Sequence, residues 1–217
     1  MKWSHSIRLF TTLLLLTSCQ SRWPFGAGSQ AAPQPPAAAS QGDAAKQGLA
    51  TFQKLVNETN YRALGLGALA DRDRAQLGQP MSIDRIALDA LTQYREGSDV
   101  NGLLVDGQRS FYPVRVGDTV VSSLYLTKST DGWRATDFGN AALARALSAQ
   151  RKAASDFIVL VPALKLYFIA RRDGSSLQLT AVVDDERYGL KAGETLPADR
   201  ALASLQRAAA KYNGLPQ

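Results

Sequence analysis

Thiol and imidazole are almost absent from this chain. Its one cysteine is Cys19 and its one histidine is His5, so no residue from 20 onward carries either group. Intramolecular disulfides are excluded even in an oxidising compartment. Ser-His-Asp and Cys-His catalysis are excluded, and a structural zinc site lacks its usual ligands. Charge runs are also missing. Of the 25 basic residues, Lys2 and Arg8 precede Cys19, which leaves an excess of about +4 over the 19 acidic ones for the rest of the chain. These basic residues are scattered, with no run of five or more. That distribution lacks the clustered footprint of a nucleic-acid binder.

Long apolar runs are absent too. The longest, Ile7–Leu16, includes Leu13, Leu14, Leu15 and Leu16. It falls short of the roughly 20 residues that cross a bilayer. Lys2 and Arg8 precede or open this run, no acidic residue occurs before Cys19, and small residues Thr17 and Ser18 follow. A basic start, a short apolar core and a small-residue boundary describe a signal peptide.

Leu16-Thr17-Ser18-Cys19 resembles the lipobox of bacterial lipoproteins. The resemblance implies that residues 1–18 are removed and that Cys19 takes a diacylglyceryl group and becomes the new N-terminus. Two or three acyl chains, palmitate among them, would then hold the protein on a membrane, because each buried methylene contributes about 0.8 kcal/mol. Gln20 stands where an aspartate often retains such proteins in the inner membrane. The family pattern therefore implies the outer membrane of the cell envelope, facing the periplasm. Gly78-Gln79-Pro80, Tyr112-Pro113-Val114, Val121-Ser122-Ser123-Leu124 and Asp131-Gly132-Trp133 also resemble segments of bacterial lipoproteins with no assigned activity.

Residues 19–42 form the lipidated cysteine and an Ala/Pro-rich tether, including Pro33-Gln34-Pro35-Pro36-Ala37-Ala38-Ala39. Such a composition buries too little apolar surface to offset its ordering entropy. Its reach is about 70 Å extended and about 25 Å as a coil. Trp23-Pro24-Phe25 lies close to the lipid and reads either as an interfacial aromatic pair or as part of the tether.

Residues 43–217 suit one α+β domain: an antiparallel sheet, made of a three-stranded meander plus a long hairpin, with helices packed on it. Leu49, Phe52 and Val56 predict a helix over Asp43–Glu58, capped by Asp43. Asp71–Leu77 reads as a helical turn. Ser82–Tyr94 fits either one helix or a strand followed by a short helix, with the second preferred. Ser110–Val116 and Thr119–Thr127 flank Gly117-Asp118, a hairpin signal, and Asp131-Gly132 leads into Trp133–Phe138. Pro113 cannot donate to a ladder, so its strand is expected at an edge or with a bulge. Asn140 caps a helix to Ala153. A long strand over Asp156–Ala170 then turns at Asp173-Gly174 into Ser176–Val183, and a last helix spans Pro197–Tyr212.

In the long strand, alternation places Val159, Val161, Lys165, Tyr167 and Ile169 on one face. Left uncovered, that face is a candidate binding surface, with Trp133 as a second anchor; ordinary core packing accounts for both as well. Asp184-Asp185-Glu186 is the one acidic cluster. It lacks the ligand spacing and central glycine of a calcium loop, so it reads as a solvated turn. Asp71 and Asp73 alternate with Arg72 and Arg74 and read as a salt-bridged turn rather than as an acid–base pair. Without histidine, a hydrolase would need a Ser-Lys pair. Ser122, Ser123, Lys128 and Lys165 supply the groups, and Ser123 with Lys165 would need a particular strand register. The expectations are therefore a membrane-anchored, non-enzymatic interaction module without cofactor or metal and with an envelope partner, a carrier of a small apolar ligand, or a histidine-free hydrolase.

Overall fold

The computed structural model describes residues 39–211, in which five helices and nine strands form an α+β fold. The predicted leader, Cys19 and most of the tether lie outside the described residues. No helix among the described residues is long and apolar enough to cross a membrane.

Helix α1 spans Gln41–Leu55. Its cap is Ser40 rather than Asp43. The Ser40 hydroxyl accepts from the Asp43 N–H at 3.2 Å and donates to the Asp43 carboxylate at 2.6 Å. This reciprocal pairing of the cap with the third helical residue fixes the start. The helix stops at Leu55, short of Glu58, because Asn60 caps its end: the Asn60 amide donates to the Leu55 carbonyl at 2.8 Å. After α2 (Asp71–Arg74) the chain enters β1 (Ala75–Leu77) and β2 (Met81–Ile86), then the short helix α3 (Leu88–Gln93). Ser82–Tyr94 is thus a strand followed by a helix.

Strands β3 (Leu104–Val116), β4 (Thr119–Ser129) and β5 (Gly132–Phe138) follow, then α4 (Ala141–Gln150). Strands β6 (Phe157–Val161), β7 (Leu166–Asp173), β8 (Ser176–Ala181) and β9 (Thr195–Pro197) lead to α5 (Ala198–Ala209). Pro197 precedes the last helix as its cap residue, and Tyr212 lies outside the described residues.

All nine strands join one mixed sheet in the order β5-β4-β3-β2-β6-β7-β8-β9, with β1 pairing β3 beside β2. The sheet is mostly antiparallel, but β2 and β6 pair in parallel and join its two halves. Strand β3 is interior, flanked by β4 on one side and by β1 and β2 on the other, so the edge expected at Pro113 is not there. Proline is tolerated because the ladder is broken opposite it. Gly78, in the gap between β1 and β2, donates to the Pro113 carbonyl at 2.8 Å, and no strand residue there needs a donor from position 113. The bulge lies just beyond, between Val114 and Arg115.

The predicted long strand over Asp156–Ala170 is two strands. Pro162–Leu164 form a 3-10 turn, Lys165 takes a left-handed conformation (φ 56°), and the chain reverses. Cross-strand pairs Val159↔Phe168 and Val161↔Leu166 then share a face, whereas Ile158↔Ile169 and Leu160↔Tyr167 share the other. The fold at Pro162 moves Tyr167 and Ile169 away from Val159 and Val161.

Helix α1, with Ala44, Ala45 and Phe52, and Val56 just after it cover the β4–β5 end of the sheet, in one cluster with Tyr112, Val114, Leu124 and Leu126. Gly48 permits the close approach, since a Cβ there would stand 3.0 Å from Leu124 and Ala135. Helices α3 and α5 seal the other half with Leu91, Ala201, Leu202 and Leu205 over Val159, Val161 and Phe168. Helix α4 buries Ala144 and Leu147 against Met81, Ile83, Phe111, Ile158 and Ile169.

Candidate functional site

The candidate surface residues do not form one surface. Val159 and Val161 are 0% exposed and belong to the core under α5. Lys165 is exposed on the β6–β7 turn, and Tyr167 is half-buried on the opposite side of the sheet. Trp133 is half-buried on β5 in the cluster beneath α1, far along the strand order from β7. The turn that breaks one strand in two separates Val159 and Val161 from Tyr167, while Trp133 is apart because it belongs to β5.

Ser123 and Lys165 are not brought together either. They sit on β4 and at the end of β6, three strand spacings or roughly 14 Å apart at the least. The Ser123 hydroxyl instead donates to the Gly139 carbonyl. Ser122 is buried with its hydroxyl unpartnered, and Lys128 pairs across the ladder with Trp133. Asp185 is occupied by Arg187, whose Nη2 lies 2.6 Å away, and Asp184 accepts from the Ala192 N–H at 2.9 Å. Asp71 pairs with Arg74 and Asp73 with Arg72. Among the described residues no group of three His, Cys, Asp or Glu side chains is placed to hold a metal ion.

The site with most convergent polar chemistry lies where α4 runs into β6. Arg151 ends α4, and its guanidinium is pinned by three backbone carbonyls. Nε donates to Ala153 at 3.1 Å, Nη1 to Gln79 at 2.8 Å and Nη2 to Ala154 at 3.0 Å. The same loop is tied from below by Asp156. Its carboxylate accepts from the Lys152 and Ala153 N–H groups at 2.7 and 2.8 Å and from Arg171. Burial raises the Asp156 pKa, but the Arg171 guanidinium and the two N–H groups outweigh it and hold the carboxyl at about 2.

Two clefts meet at Lys152. One, of about 320 Å³, is lined by Gln79, Pro113, Arg115, Ser148, Arg151 and Lys152 among others, with no carboxylate in its wall. The second, of about 340 Å³, lies over β7 and β8 and is lined by Gln150, Lys152, Arg171, Gln178, Thr180 and Thr195, with Asp156 and Asp173 also in its wall. Lys152 is exposed, and its ammonium has no hydrogen bond or ion pair among the described residues. Arg115 donates to the Asp118 carbonyl at 3.0 Å and pairs with the Asp118 carboxylate at 3.4 Å. The Ser148 hydroxyl is buried and unpartnered.

None of these four residues stood out in the sequence. The predicted helix ran to Ala153, which made Arg151-Lys152 an ordinary basic pair on a helix surface. The available signal was local. A basic pair at the end of an alanine-rich helix complements the helix dipole and marks a stop. Arg115 reaches the site only through β3, and its nearness to residue 151 is invisible in the order of residues.

Family models, curated proteins and solved structures were each compared with the chain, and none matches it.

Proposed function

We propose that the chain is a membrane-anchored envelope lipoprotein whose α+β domain binds a ligand or partner and performs no chemical step. The observation that carries the binding role is the cleft at the α4–β6 junction. Its wall carries Arg115, Arg151 and Lys152 and no carboxylate. Arg115 has Asp118 as a counter-charge at 3.4 Å, but Arg151 and Lys152 have no ion pair among the described residues, and two such cations side by side are costly unless solvent or a bound anion compensates them. The wall also has no imidazole, thiol or carboxylate to serve as a general base, and Ser148 makes no hydrogen bond to Lys152. That composition suits recognition better than turnover.

The location rests on Leu16-Thr17-Ser18-Cys19 and on the Ala/Pro-rich segment after it. A tether of about 70 Å maximum reach is long enough to let the domain stand clear of lipid headgroups. The partner is thus an envelope component rather than nucleic acid. Metabolic labelling with an alkyne fatty acid tests the reading. The label should appear on the wild-type chain, be lost in Cys19→Ser, and move that variant from the membrane to the soluble fraction. An unlabelled wild-type chain recovered in the cytosol would reject it.

A further inference from the structure

We propose that the cleft under Arg151 is a phosphoryl-group site, which deepens the binding role proposed above and rests on it. Arg151 is the centre of the argument. A guanidinium has five N–H donors, and three of them are spent on the carbonyls of Ala153, Gln79 and Ala154. Those contacts fix its plane but do not neutralise its charge, because carbonyls are dipoles. Two donors remain on a rigid, uncompensated cation.

The other groups around it match the same ligand. Arg115 comes from β3 with one Nη engaged by Asp118, Lys152 lines the same cleft without a side-chain partner among the described residues, and Ser148 contributes an orphaned hydroxyl in the same wall. A tetrahedral phosphoryl group offers three or more acceptor oxygens and up to two charges. Planar guanidinium forks and a point-charge lysine are the side chains that recognise it. A carboxylate has only two oxygens and one charge, and leaves part of this donor set unused. The space of about 320 Å³ holds a phosphoryl group with a small substituent. The wall around the cations, with Pro113, Val120 and Ala154, suits a short carbon backbone attached to it.

The test is titration of the full-length chain in non-ionic detergent, followed by calorimetry at constant ionic strength. Inorganic phosphate is the first probe and acetate the control. Saturable phosphate binding that acetate does not reproduce is expected. Lys152→Ala and Arg115→Gln should each weaken it about tenfold, the loss typical of one charge-assisted hydrogen bond. Lys165→Ala, which removes an exposed lysine elsewhere, should leave it unchanged. Arg151 stays intact because it holds the loop. Glycerol 1-phosphate and glycerophosphoglycerol then separate the sources. Tighter binding of the monoester points to a small phosphorylated molecule, and tighter binding of the diester to a lipid headgroup. Equal responses to phosphate and acetate, or equal losses in Lys152→Ala and Lys165→Ala, overturn the proposal. Neither result bears on acylation of Cys19, so the lipoprotein reading stands or falls separately.

Discussion

Arg171 grips Asp156 through two parallel hydrogen bonds, Nε to Oδ1 at 2.8 Å and Nη2 to Oδ2 at 2.9 Å. The Asp156 side chain is fully buried, while Arg171 on β7 remains 40% exposed. The same carboxylate receives the N–H groups of Lys152 and Ala153, so one side chain ties β7 to the loop that forms the cleft.

This pair makes stability depend on acid. The folded pKa of Asp156, about 2, lies below the ordinary 3.8. Its contribution is therefore complete above pH 4 and is lost as pH falls from 4 towards 2. Asp156→Asn should destabilise the domain by about 2 kcal/mol at pH 7. Urea unfolding at pH 7 and again at pH 2.5 is the measurement, and the gap between variant and wild type should shrink sharply at the lower pH.

Asn140 does two jobs at the start of α4. Its backbone is left-handed, with φ 55°, and its side chain accepts from the Leu143 N–H at 3.1 Å. Alanine would lose the cap and suffer the conformation, for a cost of about 2 kcal/mol. Asn140→Gly relieves the backbone and should recover about half of that loss. Thermal unfolding of both variants would show whether the order holds.

Lys165 has the opposite expectation. It is exposed and left-handed, and its side chain has no partner among the described residues. Lys165→Gly should stabilise the protein by up to about 1 kcal/mol, because glycine adopts this conformation without strain. A clear loss of stability in a chemical denaturation series would contradict the turn seen at residues 162–165.

Gly65 leaves no room for a side chain. Its φ is +94°, and a Cβ there would lie 1.9 Å from the Val121 carbonyl oxygen and 2.7 Å from the Ala141 Cβ. Gly65→Ala should cost about 3 kcal/mol through steric overlap and backbone strain. Gly117→Ala is the comparison: it shares a positive φ but meets nothing within 4 Å, so its cost should stay near 1 kcal/mol. Equal losses would mean that conformation alone, and not packing under β4, sets the requirement.

Local signals were well recorded in the residues. The glycine-containing loop at Gly117-Asp118 marked a hairpin and Asn140 marked a helix start, whereas Ser82–Tyr94 fitted one helix as well as the strand and short helix that form there. The break inside Asp156–Ala170 was harder to read. An unbroken apolar run such as Phe157–Val161 is compatible with one long strand or two short ones, and period-two alternation is preserved up to the turn. Pro162 was the warning. A proline inside a strand pattern argues for an end, and the left-handed residue that completes the reversal is a lysine, which does not advertise that conformation. The misread turn then reassigned every residue after it to the wrong face.

By itself the sequence determined a small set of things: which chemistries lack their side chains from residue 20 onward, and most of the individual helices and strands of the described residues. These follow from composition and from contacts between near neighbours. Only the tertiary structure decided that β2 and β6 run parallel, that β3 is interior, and that Arg115 lines the same cleft as Arg151 and Lys152. Strand partners are chosen by the burial of whole faces across large separations in the chain, and no local pattern carries that choice.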